Sequence, residues 1–116
     1  MTPEDHEIAT AMRLRAHGLD VTFREQSNVP GTKNPDAIIG DEVWEFKSPK
    51  GSSVKNTISE QFKSAKNQAE NLVIDLARCG LPDDLAIEQA TRRFHGQKRF
   101  TQLIILDHDH RMIRLP

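Results

Sequence analysis

The stretch of sequence that decides the fold is residues 36–47, DAIIGDEVWEFK. Its two apolar-rich runs flank a polar turn at residues 40–42, a pattern typical of a β-hairpin. Side chains alternate between the faces of a strand, so Glu45 and Lys47 are predicted to share one face. With a two-residue loop, Asp36 lies opposite one of them, whereas a three-residue loop reverses that parity. The other face carries the apolar side chains of Ala37, Ile39, Trp44 and Phe46.

The predicted hairpin spans residues 36–48. Hydrophobic periodicity predicts the helices and strands on either side of it. An N-terminal helix begins at Thr2-Pro3, carries an apolar stripe of Ile8, Met12 and Ala16 with Ala11 beside them, and ends at Gly18. The later elements are a strand at 19–25, a helix from about 56, a strand at 71–76, a helix at about 83–95, and strands at 102–106 and 111–115. The order αβββαβαββ predicts one α+β domain over residues 1–116 with a mostly antiparallel sheet.

The length and composition of the chain indicate a small single domain and argue against a membrane protein. With 116 residues it can bury one modest core. No apolar run approaches the roughly 20 residues of a membrane span, and the acidic N-terminus predicts no signal peptide and no membrane partner. The single cysteine, Cys79, cannot form an internal disulfide and is interpreted as a small, partly buried residue.

Charge is distributed unevenly although the net charge is only −1. Residues 1–45 have a net charge of −5, residues 47–66 of +4, and residues 67–116 of 0. The positive block begins at Lys47 and continues through the following loop and helix. Such a block can attract a polyanion to one face of a protein whose total charge is near zero.

The loop after the hairpin adds groups that bind anions. It leads into a helix N-terminus, where backbone N–H groups favour negative charge. Its candidate substrate-binding side chains, together with two on the next segment, are Ser48, Lys50, Ser52, Ser53, Lys55, Gln68 and Asn71. Thr57 and Lys66 are candidates for catalytic roles. The alternative is a flexible loop with an ordinary helix cap, next to a surface ion pair of little energetic consequence.

His108 and His110 form a His-x-His pair at a predicted turn. Such a pair can bind zinc, but the sequence indicates no third ligand. We therefore predict no metal site there.

Four segments resemble the C-terminal tRNase domain of CdiA-type contact-dependent growth inhibition toxins, and the similarity extends from about Glu7 to Leu115. The segments are NPDA (34–37), WEFKSPKG (44–51), TI (57–58) and AKNQAENLVIDL (65–76). The resemblance implies the group that includes barnase, EndoU, the colicin RNases and RelE. It also implies an α+β fold, cleavage of RNA (tRNA in the first instance) without a metal cofactor, action in the cytoplasm of a target cell, and a cognate immunity protein as partner.

In that chemistry the ribose 2′-OH attacks the adjacent phosphate. Glu45 is the candidate base, and Lys47 with Lys66 would stabilise the developing charge. Ser53 and Thr57 would orient the phosphate. DNA, which lacks the 2′-OH, would resist cleavage.

Two alternatives remain. Asp36, Glu45 and Lys47 also fit the PD-(D/E)XK nuclease pattern, which the order αβββαβ accommodates. There Asp36 and Glu45 would hold Mg²⁺ and Lys47 would orient an attacking water on DNA. The second alternative is a non-catalytic module that binds nucleic acid or a protein partner.

Overall fold

The computed structural model describes residues 3–24, 37–65 and 69–116. Within them the predicted order αβββαβαββ is confirmed. The helices are α1 (Asp5–Ala16), α2 (Thr57–Ser64) and α3 (Asp83–His95). The strands are β1 (Val21–Phe23), β2 (Ala37–Ile39), β3 (Glu42–Lys47), β4 (Asn71–Asp75), β5 (Gln102–Leu106) and β6 (Met112–Leu115). No helix in these ranges is long and apolar enough to cross a membrane.

The strands form one mixed sheet in chain order, β1-β2-β3-β4-β5-β6. The three outer pairings, β1 with β2, β2 with β3 and β5 with β6, are antiparallel, as the prediction of a mostly antiparallel sheet requires. The two central pairings, β3 with β4 and β4 with β5, are parallel. Parallel neighbours need crossover connections, and α2 and α3 lie in those connections.

The β2–β3 hairpin has the short loop on which the predicted parity depends. Ile39 pairs with Glu42, so the loop contains only Gly40 and Asp41. Gly40 adopts a φ of 65°, which a residue without a Cβ tolerates best. Strand β3 thus begins at Glu42, one residue earlier than predicted.

Apolar side chains form one core on each face of the sheet. The first core joins α1 to the sheet and contains the predicted apolar side of the hairpin: Ala37, Ile39, Trp44 and Phe46. The second core joins α2 and α3 to the sheet through Leu72, Ile74, Leu103 and Ile105. All five residues of β4 are buried, which confirms the interpretation of 71–76 as a buried strand. The domain therefore has three layers, with α1 on one side and α2 and α3 on the other.

Helix α1 differs from the sequence-based prediction in its first residue and in the side that it buries. It begins at Asp5, two residues after Pro3, and its buried residues are Thr10, Ala11 and Leu14. The predicted stripe is wrong for Ile8 and Met12, which are 40% and 62% exposed, and for the exposed Ala16. Ala11, predicted beside the stripe, is buried.

Helix α1 presents a different side to the sheet than predicted, because a buried carboxylate on the sheet needs polar partners. Asp75 at the end of β4 is fully buried on the α1 side of the sheet. Its Oδ2 accepts a hydrogen bond from Thr10 Oγ1 at 2.7 Å and pairs with Arg13 Nη1 at 2.5 Å. A buried carboxylate needs such partners, so the helix turns Thr10 and Arg13 toward the sheet and leaves Ile8 and Met12 outside.

Candidate active site

Glu45 and Lys47 lie on the same face of β3, as predicted. Their register partners are Leu72 and Ile74, which belong to the core under α2 and α3. Lys47 Nζ lies 3.7 Å from Glu45 Oε1, and the two side chains are 21% and 8% exposed. This is an ion pair at the edge of the core rather than on the open surface, so solvent screens it less than an exposed pair.

The segment after β4 holds the loop that leaves Lys47. Arg78 donates from Nε to Ser48 Oγ at 3.0 Å and from Nη2 to Ser48 O at 2.7 Å. The Gly80 N–H donates to Gly51 O at 2.9 Å. A Cβ at Gly80 would lie 2.8 Å from the Ser52 Cβ, so a side chain there would push the loop away. The path of the chain after the ion pair is therefore set by residues about 30 positions further on.

The loop hydroxyls have structural contacts of their own. Ser53 Oγ accepts a hydrogen bond from the Asn56 N–H at 3.1 Å, in front of α2. Thr57 is buried, and its Oγ1 packs so closely on Gly51 that a Cβ there would come within 2.7 Å. Ser52, Lys50 and Lys55 are exposed on the same loop.

Asn71, a predicted substrate contact, lies in an internal network at the start of β4. Its Nδ2 donates to Val43 O at 3.0 Å, and its Oδ1 accepts from Thr101 Oγ1 and Gln102 Nε2. The side chain is buried and connects three strands. Asp36, Lys66 and Gln68 lie outside the described residues.

Among the described residues, one group of three carboxylates comes close enough to hold a cation, and it lies away from β3. Its members are Asp83, Asp107 and Asp109. The two turn carboxylates already accept hydrogen bonds from Arg111, at 3.1 Å on Asp107 and 3.0 Å on Asp109. Burial raises the pKa of Asp107, but the N–H groups of Arg111 and Asp109 and the Arg111 guanidinium lower it further, so the net change is downward.

His108 contacts Asp83 rather than a second histidine. Its Nδ1 lies 2.5 Å from Asp83 Oδ1, and its Nε2 lies 2.7 Å from Cys79 O. Both ring nitrogens face acceptors, which favours the doubly protonated ring. The Cys79 carbonyl and the Asp83 carboxylate raise the pKa of His108 against the opposing effect of burial.

A cavity of about 490 Å³ lies between α2 and α3, and neither Glu45 nor Lys47 lines it. Its apolar floor is formed by Ile58 and Phe62, and its cationic lining consists of Lys55, Arg92 and Arg93. On the described surface, the ion pair and the cavity therefore lie at different places.

The sequence did not point to Arg78, Arg92 or Arg93. Arg78 acquires a role only because β4 lies parallel to β3, which brings the ends of both strands to one edge of the sheet. Arg92 and Arg93 lie in α3, which carries both acidic and basic residues. In the sequence alone, such a pattern indicates only a solvent-exposed helix face.

The chain is similar to known proteins in both sequence and fold. The model of the contact-dependent growth inhibition CdiA C-terminal domain family matches residues 33–112. A solved structure, the "CdiA-CT/CdiI toxin and immunity complex from Burkholderia pseudomallei", is similar with a TM-score of 0.74 and 26% identity, over 95% of this chain and 81% of that one. No curated protein matches. Because the family model covers more than half of the chain, this chain belongs to the family of CdiA C-terminal toxin domains.

Proposed function

We propose that this toxin domain is a nuclease that cleaves RNA, with tRNA as the expected substrate, and that Glu45 and Lys47 carry the reaction. The observation that carries the proposal is the ion pair at 3.7 Å on one face of β3, largely withdrawn from solvent. A carboxylate can accept a proton or hold a cation, and an ammonium beside it can stabilise the charge of a reacting phosphate.

We further propose a cognate immunity protein as partner and the cytoplasm of a target cell as the place of action. The similar structure from Burkholderia pseudomallei is, by its title, a complex of a toxin with an immunity protein. A nuclease domain needs such an inhibitor in the cell that makes it.

The first route is metal-independent. Glu45 would take the proton of the ribose 2′-OH, and the oxygen would attack the adjacent phosphorus while Lys47 stabilises the pentavalent intermediate. The P–O5′ bond would then break, the leaving 5′-oxygen would take a proton from solvent, and a 2′,3′-cyclic phosphate would remain. Lys66, Ser53 and Thr57 would support the phosphate. The internal contacts of Ser53 and the burial of Thr57 leave these two hydroxyls less free for that task.

The second route is metal-dependent, and two observations favour it. The elements α1 to β4 have the order αβββαβ of PD-(D/E)XK nucleases, with the acid and the lysine together on the third strand. Glu45 offers the carboxylate oxygen that Mg²⁺ prefers, and Asp36 would be the second ligand. A bound Mg²⁺ would supply positive charge to the scissile phosphate. Lys47 would then orient the attacking water, and the order of the elements supports this route.

One experiment distinguishes the routes. The purified protein is incubated with unfractionated tRNA, and in parallel with DNA, in excess EDTA or in Mg²⁺. Under the second route EDTA abolishes cleavage, Mg²⁺ restores it, and the fragments have no cyclic phosphate.

Cleavage in EDTA that leaves 2′,3′-cyclic phosphate ends would establish the first route. Cleavage of DNA but not of tRNA would overturn the proposed substrate. No cleavage of either nucleic acid under both conditions would overturn the nuclease proposal in favour of a binding module.

A further inference from the structure

The cavity between α2 and α3 has the chemistry of a surface for a polyanion. Lys55, Arg92 and Arg93 line it, and none of its lining residues is acidic. Arg92 has a carboxylate neighbour, because its Nη2 lies 3.6 Å from Glu88 Oε1. For Lys55 and Arg93 the described part of the chain contains no carboxylate within 4.0 Å, so these two cations border the cavity without a counter-charge from the described residues.

A hydrogen bond joins the two walls of this cavity. Gln89 on α3 donates from Nε2 to Val54 O at 2.9 Å, and Val54 precedes Lys55. The floor is Ile58 and Phe62, which are buried and belong to the core under α2 and α3. A concave surface with fixed walls loses little conformational freedom when a ligand binds.

The cavity is continuous along the chain with the candidate active site. Lys55 stands on the loop that leaves β3 directly after Lys47, with the exposed Lys50 between them. Both α2 and α3 cover the face of the sheet that carries the ion pair. A long polyanion held at the cavity can therefore follow the lysines of this loop toward β3.

We infer that the cavity between α2 and α3 is a second contact region for the RNA substrate, in which Lys55, Arg92 and Arg93 bind backbone phosphates away from the cleaved bond. The inference rests on the proposed function and adds a substrate-binding surface to it. Contacts of this kind raise affinity for every sequence equally and make binding dependent on salt. They increase ground-state and transition-state binding together, so their removal raises KM and leaves kcat unchanged.

The test measures binding of labelled, unfractionated tRNA over a series of NaCl concentrations. The protein carries Lys47→Met so that the RNA is not cut, and Lys55→Ala with Arg93→Ala is added to remove the two uncompensated cations. We expect the slope of log Kd against log salt to fall by about 1 for each phosphate that the variant no longer neutralises. In the cleaving protein the same double substitution should raise KM without lowering kcat.

Two control variants separate the cavity from total charge and from folding. Arg114→Ala removes one positive charge from β6 and should leave the slope unchanged. Arg114 lies over Trp44, which belongs to the core on the α1 side of the sheet, so it is on the opposite face from the cavity. Arg93→Lys keeps the charge in the cavity and should retain most of the slope. Thermal denaturation verifies that all variants fold.

A wild-type salt slope and a wild-type KM in the double variant would overturn the inference while the proposed nuclease stands. The same result with weakened binding of the immunity protein would assign the cavity to that partner and also overturn the inference. If the protein without these substitutions neither binds nor cuts tRNA, the proposed function itself fails.

Discussion

Arg78 and Ser48 are joined by two hydrogen bonds, one to the serine hydroxyl at 3.0 Å and one to its carbonyl at 2.7 Å. Ser48 directly follows Lys47, and Arg78 follows β4. The guanidinium thus connects the end of β3 to the segment after its parallel neighbour β4. A planar group with several donors suits this bidentate contact, which a single ammonium cannot reproduce.

Replacing Arg78 should loosen the loop after β3 without unfolding the domain. We expect Arg78→Ala to lower the free energy of unfolding by about 1 kcal/mol, because an exposed pair of hydrogen bonds contributes modestly. Amide exchange over residues 48–53 should become faster. Arg78→Lys should show an intermediate effect, and unchanged exchange in the alanine variant would contradict a positioning role.

Lys47 should be essential for cleavage, because its ammonium lies 3.7 Å from the Glu45 carboxylate on the same face of β3. Loss of one stabilising group at a reacting phosphate typically reduces kcat on the order of 100-fold. We expect that loss for Lys47→Met, which preserves the length of the side chain. The rate of tRNA cleavage under single-turnover conditions measures it.

The matched control for that variant is Lys98→Met, which removes an exposed lysine that is not on β3 and does not line the cavity between α2 and α3. It should cut tRNA at the wild-type rate. Full activity in Lys47→Met would show that the reaction occurs on another surface.

Asp36 distinguishes the two proposed routes most directly. If it is a metal ligand, Asp36→Asn should lose cleavage on the order of 100-fold, and part of the loss should be recovered at high Mg²⁺. If it only positions Lys47, the loss should be closer to tenfold and independent of Mg²⁺. A Mg²⁺ titration of the cleavage rate for wild type and variant separates the two outcomes.

Stability should depend on pH through His108. Its pKa is raised in the folded state, so its contribution is complete below about pH 6.5 and is lost as pH rises through the folded-state pKa. The groups that face the ring are Asp83 and the carbonyl of Cys79, with Asp107 nearby. The lowered pKa of Asp107 acts in the opposite sense, because its contribution is lost only in acid.

We therefore expect the Tm of the wild-type protein to fall as the pH rises above about 6.5, and to fall less in His108→Gln. His95→Gln, which alters an exposed histidine at the end of α3, serves as the control and should behave like wild type. Equal slopes in all three proteins would refute the contribution of His108.

Local sequence pattern was sufficient for the elements and for the two faces of the hairpin. The alternation of Trp44 and Phe46 with Glu45 and Lys47 separates a core side from a polar side in any strand of this sequence. The run of branched residues in β4 similarly leaves no polar face, so that segment is buried whatever its neighbours are. Gly18, with a φ of 87°, ends α1 because few other residues adopt that conformation.

Only the tertiary structure decided which groups meet. The parallel pairing of β3 with β4 brings Arg78 to Ser48, and the burial of Asp75 turns α1 so that Met12 is exposed and Thr10 is not. The crossing of α2 and α3 puts Lys55 and Arg93 around one cavity. These contacts join residues 30 to 65 positions apart, and no periodicity within a single element encodes them. Local pattern determines which side of an element avoids water, whereas the partner on that side follows from how the whole chain satisfies its buried charges and fills its cores.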